Sequence, residues 1–279
     1  MTSENMAILF EVLQYMKEFR EKTFVVKVGG AALEKEEAKT SFAKSIVFLR
    51  HVQVNPIIVH GGGVEITRLM NQLGIKPLFK NGYRVTDEKT LQIAEMVLEK
   101  INKDIVLKIN LHGGRAIGVS GKDDNLLLCE KDIANGDIGY VGKIRKVNSG
   151  FIEKLIAQNY IPVICPVGFG EDGTTYNINA DVAAAEIAIS LKAEKLIFVS
   201  DVPGVMKDGE LIPYLDIQNA RKLIEEGVVK GGMIPKIQCA VNALKAGIKS
   251  VHVVNGEIPH ALLTEIFTLH GIGTMLREI

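Results

Sequence analysis

Two short apolar runs in this chain stop at consecutive glycines and then pass into sequence of helical spacing. Phe24-Val25-Val26-Lys27-Val28 ends at Gly29-Gly30, and Pro56-Ile57-Ile58-Val59 ends at His60-Gly61-Gly62-Gly63. Runs of four or five apolar residues suit strands buried on both faces. Similar runs recur at 161–164, 196–200 and 251–254, while helical periodicity recurs at 36–51, from Gly63 through Leu73, at 87–110 and at 180–192. The alternation predicts an α/β protein, a three-layer αβα sandwich around a mainly parallel open sheet. Ligands of such a sheet collect at the carboxyl ends of its strands, where the glycine runs fall. Segments 126–130 and 138–147 read as arms of a β-hairpin around Ala134-Asn135-Gly136-Asp137.

Composition narrows the class further. Glycine occurs 27 times in 279 residues, against roughly 20 at ordinary usage, with no Gly-X-Y period. A hydrophobic fraction of 47% excludes disorder. Net charge +0 argues against a nucleic-acid binder, which needs a basic footprint. Cys129, Cys165 and Cys239 are scattered, so they read as reduced thiols of a cytoplasmic protein, with neither a disulfide frame nor a metal site. No apolar run approaches the ~18 residues of a membrane span. The stretch Ala7 to Phe10 lies between Glu4 and Glu11 and makes a poor signal peptide. Ile8, Leu9, Val12, Leu13, Met16 and Phe19 mark an amphipathic helix over 3–20.

Several motifs compete for the chemistry. Gly168-Phe169-Gly170-Glu171-Asp172-Gly173 satisfies G-x-G-x-x-G, but Thr174-Thr175-Tyr176 open no helix, as a dinucleotide site requires. His60-Gly61-Gly62-Gly63 resembles an esterase oxyanion loop, yet its partner candidate Gly118-Val119-Ser120-Gly121-Lys122 lacks the final glycine. No Walker A sequence is present. Glycine N–H groups where a strand meets a helix make an anion nest, which favours phosphate binding. Lys27 adds weight, because a lysine inside an apolar strand costs several kcal/mol unless its charge is matched. A lysine snorkelling from an edge strand is the plain alternative.

Five motifs occur in order: Val26-Lys27-Val28-Gly29-Gly30, Ile58-Val59-His60-Gly61-Gly62-Gly63, Asn81-Gly82-Tyr83-Arg84-Val85-Thr86, Tyr176-Asn177-Ile178-Asn179-Ala180-Asp181 and Gly231-Gly232-Met233-Ile234-Pro235-Lys236. Together they resemble the amino acid kinase family, and within it the arginine-sensitive kinases of N-acetyl-L-glutamate. Ala31 departs from the pattern, since many relatives carry Ser there. The resemblance implies phosphorylation of the side-chain carboxylate of N-acetyl-L-glutamate by ATP with Mg2+, in arginine biosynthesis. Lys27, Lys236 and Asp181 would be catalytic, Asp181 holding both lysines. Gly62, Gly63, Arg84 and Asn177 would bind the acyl amino acid, Arg84 taking its α-carboxylate. Gly29, Gly30, Ser200, Asp201 and Lys207 would bind nucleotide. No dedicated metal ligands are legible, as expected where Mg2+ rides on phosphates.

The likeness extends to the termini. It implies that residues 1–22 form an interaction helix that interlaces dimers into a homohexamer, a trimer of dimers. It implies too that L-arginine binds at Tyr15, Lys195, His252, Glu265 and Gly271 as a feedback inhibitor. Residues 23–279 would form the kinase domain, with an acyl amino acid lobe over 23–175 and a nucleotide lobe over 176–279. Three alternatives stay open: a related kinase acting on carrier-linked aminoadipate or glutamate, a nucleotide-sensing subunit without turnover, and an esterase using Ser120. No nucleic-acid or membrane partner is expected.

Overall fold

The computed structural model describes residues 3–134 and 136–278. Asn135, in the expected hairpin turn, lies outside the described residues, as do the side chains of 3–9, including Ile8 and Leu9. An eight-stranded sheet forms the centre. Its strand order is Tyr214–Leu215, Thr274–Leu276, Ser250–Asn255, Lys195–Ser200, Thr23–Val28, Asn55–His60, Ile161–Cys165 and Ala116–Ser120. All pairings are parallel except that between 250–255 and 274–276.

Alternation along the central strand sorts side chains between two cores. Phe24, Val26 and Val28 face one layer, built with Ile46, Met70, Ile101 and Phe267 from helices Glu36–His51, Gly63–Gln72, Glu88–Leu111 and Ala261–Phe267. Val25 faces the other, with Ile152, Ala184, Leu223 and Ala240 from helices Ser149–Ala157, Ala180–Ser190, Ile217–Glu225 and Met233–Lys245. Each buried Val, Leu or Ile contributes about 1.5–3 kcal/mol of transfer free energy. The expected αβα sandwich is therefore present, and Lys27 shares the face of Val25.

Helix ends match their local chemistry. Asp87 accepts from the Thr90 N–H at 2.8 Å and caps the helix beginning at Glu88. Asn179 accepts from the Asp181 and Val182 N–H groups and caps the helix beginning at Ala180. The first helix spans Ser3–Glu18. Among the described residues no helix is long and apolar enough to cross a membrane.

A second sheet, ordered Thr175–Asn177, Val167–Phe169, Leu127–Lys131, Gly142–Val147, sits beside the first. Its last two strands pair antiparallel, as the hairpin reading expects. The second arm is shorter than expected, because 138–141 leaves it to bridge elsewhere. Gly139 bridges Thr86 and Val141 bridges Asn177. Gly139 has φ +75°, and a Cβ there would collide with the Thr86 carbonyl. The strand Ala116–Ser120 and the reversed pair 214–215 and 274–276 had no strong sequence signal. They are short strands at or next to the sheet's two edges.

Candidate active site

At the carboxyl end of the central strand, Lys27 Nζ lies 2.8 Å from Asp181 Oδ1. Lys236 Nζ donates to the other oxygen, Oδ2, at 2.9 Å. Oδ1 meets Lys27 by charge and has no partner of hydrogen-bonding geometry among the described residues. Asp181 stands in the first turn of its helix, where the dipole favours an anion. Burial acts to raise its carboxyl pKa, but attraction to Lys27 and then Lys236 prevails and brings it to about 2. Lys236 is shifted down by burial, with the Lys27 charge acting in the same direction. Its ammonium also rests 4.8 Å from the Phe198 ring centroid. Two ammoniums against one carboxylate leave the cluster with surplus positive charge.

Beside it lies a cleft of ≈ 200 Å³. Of the expected residues, the structure brings Lys27, Gly62, Gly63, Arg84, Asn177 and Asp181 to its wall. Asp181 is the only acid lining it among the described residues. Arg84 is buried on the short strand Tyr83–Arg84, its Nη2 donating to Gly63 O and Thr67 Oγ1, both at 2.8 Å. The guanidinium stacks on Phe79 at 4.8 Å. No carboxylate of the described residues lies within ion-pair distance of it, so a buried cation faces the cleft with its charge unmatched. Asn177 donates to Thr86 Oγ1 at 3.3 Å. The loops are glycine for packing reasons. A Cβ on Gly29 would stand 3.2 Å from Lys27 Nζ, and one on Gly62 would meet Ile101 and Leu98 at 2.8 and 2.9 Å.

On the far side of Gly29-Gly30, Ser200 ends and Asp201 follows the strand adjacent to that of Lys27. Ser200 Oγ donates to Asp201 Oδ1 at 3.1 Å. Gly30 has φ +59° and opens a short 3₁₀ turn, Gly30–Leu33. Lys207 sits on the hairpin Met206–Lys207/Glu210–Leu211, exposed and 3.8 Å from Glu226. It touches none of the three residues of the lysine–aspartate cluster.

The residues assigned to arginine gather at the opposite end of strands 195–200 and 250–255. His252 Nδ1 lies 2.8 Å from Glu265 Oε1, and Lys195 Nζ lies 3.3 Å from His252 Nε2. Glu265 Oε2 accepts from the Ile272 and Gly273 N–H groups at 2.8 Å each. Gly271 has φ +51°, and a Cβ there would stand 2.6 Å from Glu265 Oε2. Tyr15 stacks on Phe19, whose face carries Lys195 Nζ at 4.9 Å. Burial pushes the Glu265 carboxyl up, but His252 and the two amides outweigh it and hold the pKa below the usual value.

Other motifs fall away. Ser120 donates to Asp123 Oδ2 at 3.2 Å with no histidine in contact among the described residues, and both His60 nitrogens are engaged elsewhere. Gly168 to Gly173 run from one strand into the turn before its antiparallel neighbour and open no helix, as a dinucleotide fingerprint would. The three thiols are buried and free, each pushed upward chiefly by burial. Sequence reasoning did not single out Phe79, Thr67, Asn102 or Gly139. The first two flank Arg84 only after a turn brings 79–84 against helix 63–72.

An open αβα sheet that collects positive charge at its strand ends is the framework of the amino acid kinase family. The family model matches residues 22–255, and the chain belongs to that family. Within it, the chain is 99% identical to the acetylglutamate kinase of Pseudothermotoga lettingae over 279 residues, all of both chains. It is 60% identical to the acetylglutamate kinase of Kosmotoga olearia over 280 residues, covering 100% of this chain and 99% of that one. The chain is thus a kinase. Among solved structures, N-acetylglutamate synthase from Neisseria gonorrhoeae with coenzyme A and N-acetyl-glutamate superposes with TM-score 0.90 at 28% identity. That match covers 98% of this chain, which spans only 63% of the synthase chain. The same synthase with coenzyme A and L-arginine gives TM-score 0.87 at 27% identity, over 98% of this chain and 65% of that one.

Proposed function

We propose that this kinase transfers the γ-phosphoryl group of ATP to the side-chain carboxylate of N-acetyl-L-glutamate, and that free L-arginine inhibits it. One observation carries the reaction: the unmatched Arg84 cation and the doubly lysine-bound Asp181 line the same small cleft. A dicarboxylate suits that arrangement, one carboxylate on the Arg84 fork and the other beside the lysines.

The nucleophile is a carboxylate, already ionised near neutral pH, so no general base is needed. One of its oxygens attacks the γ-phosphorus, the bond to the bridging oxygen breaks, and ADP leaves. Catalysis then rests on alignment and on stabilising charge in transit. Lys27 and Lys236 supply that charge from two elements, and Asp181 keeps their ammoniums from driving each other apart. The Gly30 and Gly62 backbones offer N–H donors, Gly63 and Asn177 hold the acyl amino acid, and Ser200, Asp201 and Lys207 serve the nucleotide. Both Asp181 oxygens face lysines, so this cleft fits Mg2+ that arrives on ATP, where it offsets phosphate charge. The acyl amino acid lobe is 23–175 and the nucleotide lobe 176–279.

For regulation, Lys195, His252 and Glu265 form a buried polar group next to Tyr15 on the first helix. The guanidinium of arginine would compete with His252 for Glu265, and Lys195 would take its carboxylate. That the synthase neighbour was solved with L-arginine supports this assignment. Phe10 and Leu13 on the same helix are 61% and 44% exposed, an apolar face suited to a second copy in a homohexamer. The deciding assay traps acyl phosphate with hydroxylamine while free N-acetyl-L-glutamate, or carrier-linked aminoadipate, is offered with MgATP, with and without L-arginine. Product from the free substrate, suppressed by arginine, is expected. Product from the carrier-linked substrate alone would overturn the reading.

A further inference from the structure

His60 closes strand Asn55–His60 just before the three glycines and is fully buried. Its ring is gripped on both sides. Nδ1 lies 3.1 Å from the Gly61 carbonyl oxygen, and Nε2 lies 3.2 Å from Asn102 Nδ2 on helix Glu88–Leu111. The same Asn102 nitrogen donates to Val163 O at 2.9 Å. A carbonyl can only accept, so Val163 fixes which end of the Asn102 amide is nitrogen. That nitrogen then donates to His60 Nε2, which must be the bare ring nitrogen. The one ring hydrogen sits on Nδ1, directed at Gly61 O. Burial enforces the neutral form, lowering the imidazole pKa to about 4. Asn102 Oδ1 has no hydrogen-bond partner among the described residues and abuts Gly118, where a Cβ would collide with it, so the amide is wedged in place.

We propose that His60, oriented by Asn102, is a positioning residue that locks the Gly61–Gly62 peptide with its N–H turned into the cleft. A Gly-Gly peptide has little restraint of its own, since neither residue carries a Cβ. In a planar trans peptide the carbonyl and the N–H point in opposite directions. Holding Gly61 O against the buried His60 therefore aims the Gly62 N–H away from the interior. Gly62 lines the cleft, and its N–H has no acceptor among the described residues. A donor preset in this way meets charge developing on the transferred phosphoryl group without reorganising.

The proposal rests on the phosphoryl-transfer function above, so wild-type protein is first assayed for acyl phosphate from N-acetyl-L-glutamate. Failure there refutes that function, whereas the remaining arms address the lock. His60→Leu keeps the bulk and removes both nitrogens; His60→Asn keeps an N–H near the Nδ1 position. Because deleting a preset oxyanion donor costs about 10²–10³ in kcat, loosening one in His60→Leu is expected to cost ~10-fold or more, with both KM values within ~3-fold. His60→Asn should restore part of the lost kcat. Wild-type kcat in a folded His60→Leu enzyme would overturn the proposal. Independently of folding of that variant, ¹⁵N-histidine NMR of the full wild-type chain reads the tautomer, His60 being assigned by its loss in His60→Asn. A hydrogen on Nδ1 throughout pH 6–8 is expected; one on Nε2 refutes the lock.

Discussion

Lys236 donates to Asp181 Oδ2 at 2.9 Å across a separation of 55 residues, each on the first turn of its own helix. The remaining oxygen faces Lys27 at 2.8 Å, so one carboxylate ties the central strand to two helices. On the proposed function, stability and catalysis are coupled at this point.

Asp181→Asn removes the only counter-charge, among the described residues, of two largely buried ammoniums. Breaking one side of a buried ion pair typically costs about 3–5 kcal/mol. Urea denaturation should show a loss of that order, and kcat should fall much further than either KM rises. An unchanged urea midpoint would contradict the geometry.

The same group sets a pH dependence. Burial opposes its ionisation, yet the lysines lower its folded pKa from 3.8 to about 2. The stabilisation is complete above the unfolded value and drains away as pH falls toward the folded one. At 1.36 kcal/mol per unit this amounts to about 2 kcal/mol. Wild type should therefore lose its advantage over Asp181→Asn mainly between pH 4 and 2, measured by urea melts. A stability difference that stays flat across that window would exclude the coupling.

Arg84→Lys keeps the charge and loses the planar fork now shared among Gly63, Thr67 and the Phe79 face. We expect the KM for N-acetyl-L-glutamate to rise ~10-fold or more, as for a charged hydrogen bond worth about 1.5–3 kcal/mol. The KM for ATP should change little. Equal effects on both substrates would place Arg84 outside the acyl amino acid site.

Gly139→Ala tests how the second sheet holds the Arg84 loop. The φ of +75° and the collision with the Thr86 carbonyl cannot both be accommodated. A loss of about 1–3 kcal/mol in stability, in line with overpacking elsewhere, should appear in thermal melts. A weakened substrate KM should accompany it, since Thr86 also accepts from Asn177.

Glu265→Gln weakens the anionic end of the proposed arginine site while leaving the lysine–aspartate cluster untouched. Inhibition by L-arginine should weaken ~10-fold or more, on the scale of a charge-assisted pair, with kcat in its absence near wild type. Undiminished inhibition, followed by titrating arginine in the acyl phosphate assay, would move the inhibitor elsewhere.

The local code was readable where it acts through neighbours in the chain. Apolar runs closed by glycine located the strand ends, because strand periodicity and φ freedom are properties of a few adjacent residues. Helical periodicity over 87–110 and 180–192 was readable for the same reason, and Asp87 and Asn179 cap those helices. Lys27 stood out as a charge inside an apolar strand. Its counter-ion could not be read from spacing, since Asp181 and Lys236 reach it only through the crossovers of the sheet; family likeness supplied them. Asn102 looked like one polar residue on a long helix, and nothing nearby announced that its amide fixes the His60 ring. Gly139 read as part of a hairpin arm, and nothing near it in the chain announces that it bridges Thr86.

By itself, the sequence determined the αβα class, the glycine-lined strand ends and the types of charge available there. These follow from periodicity and residue chemistry over short stretches. Only the tertiary structure decided which charges neutralise one another, that Arg84 has no anion of its own among the described residues, and that both His60 ring nitrogens are engaged. Those depend on distances of about 3 Å between residues dozens of positions apart, and electrostatic and hydrogen-bond energies are set at that range.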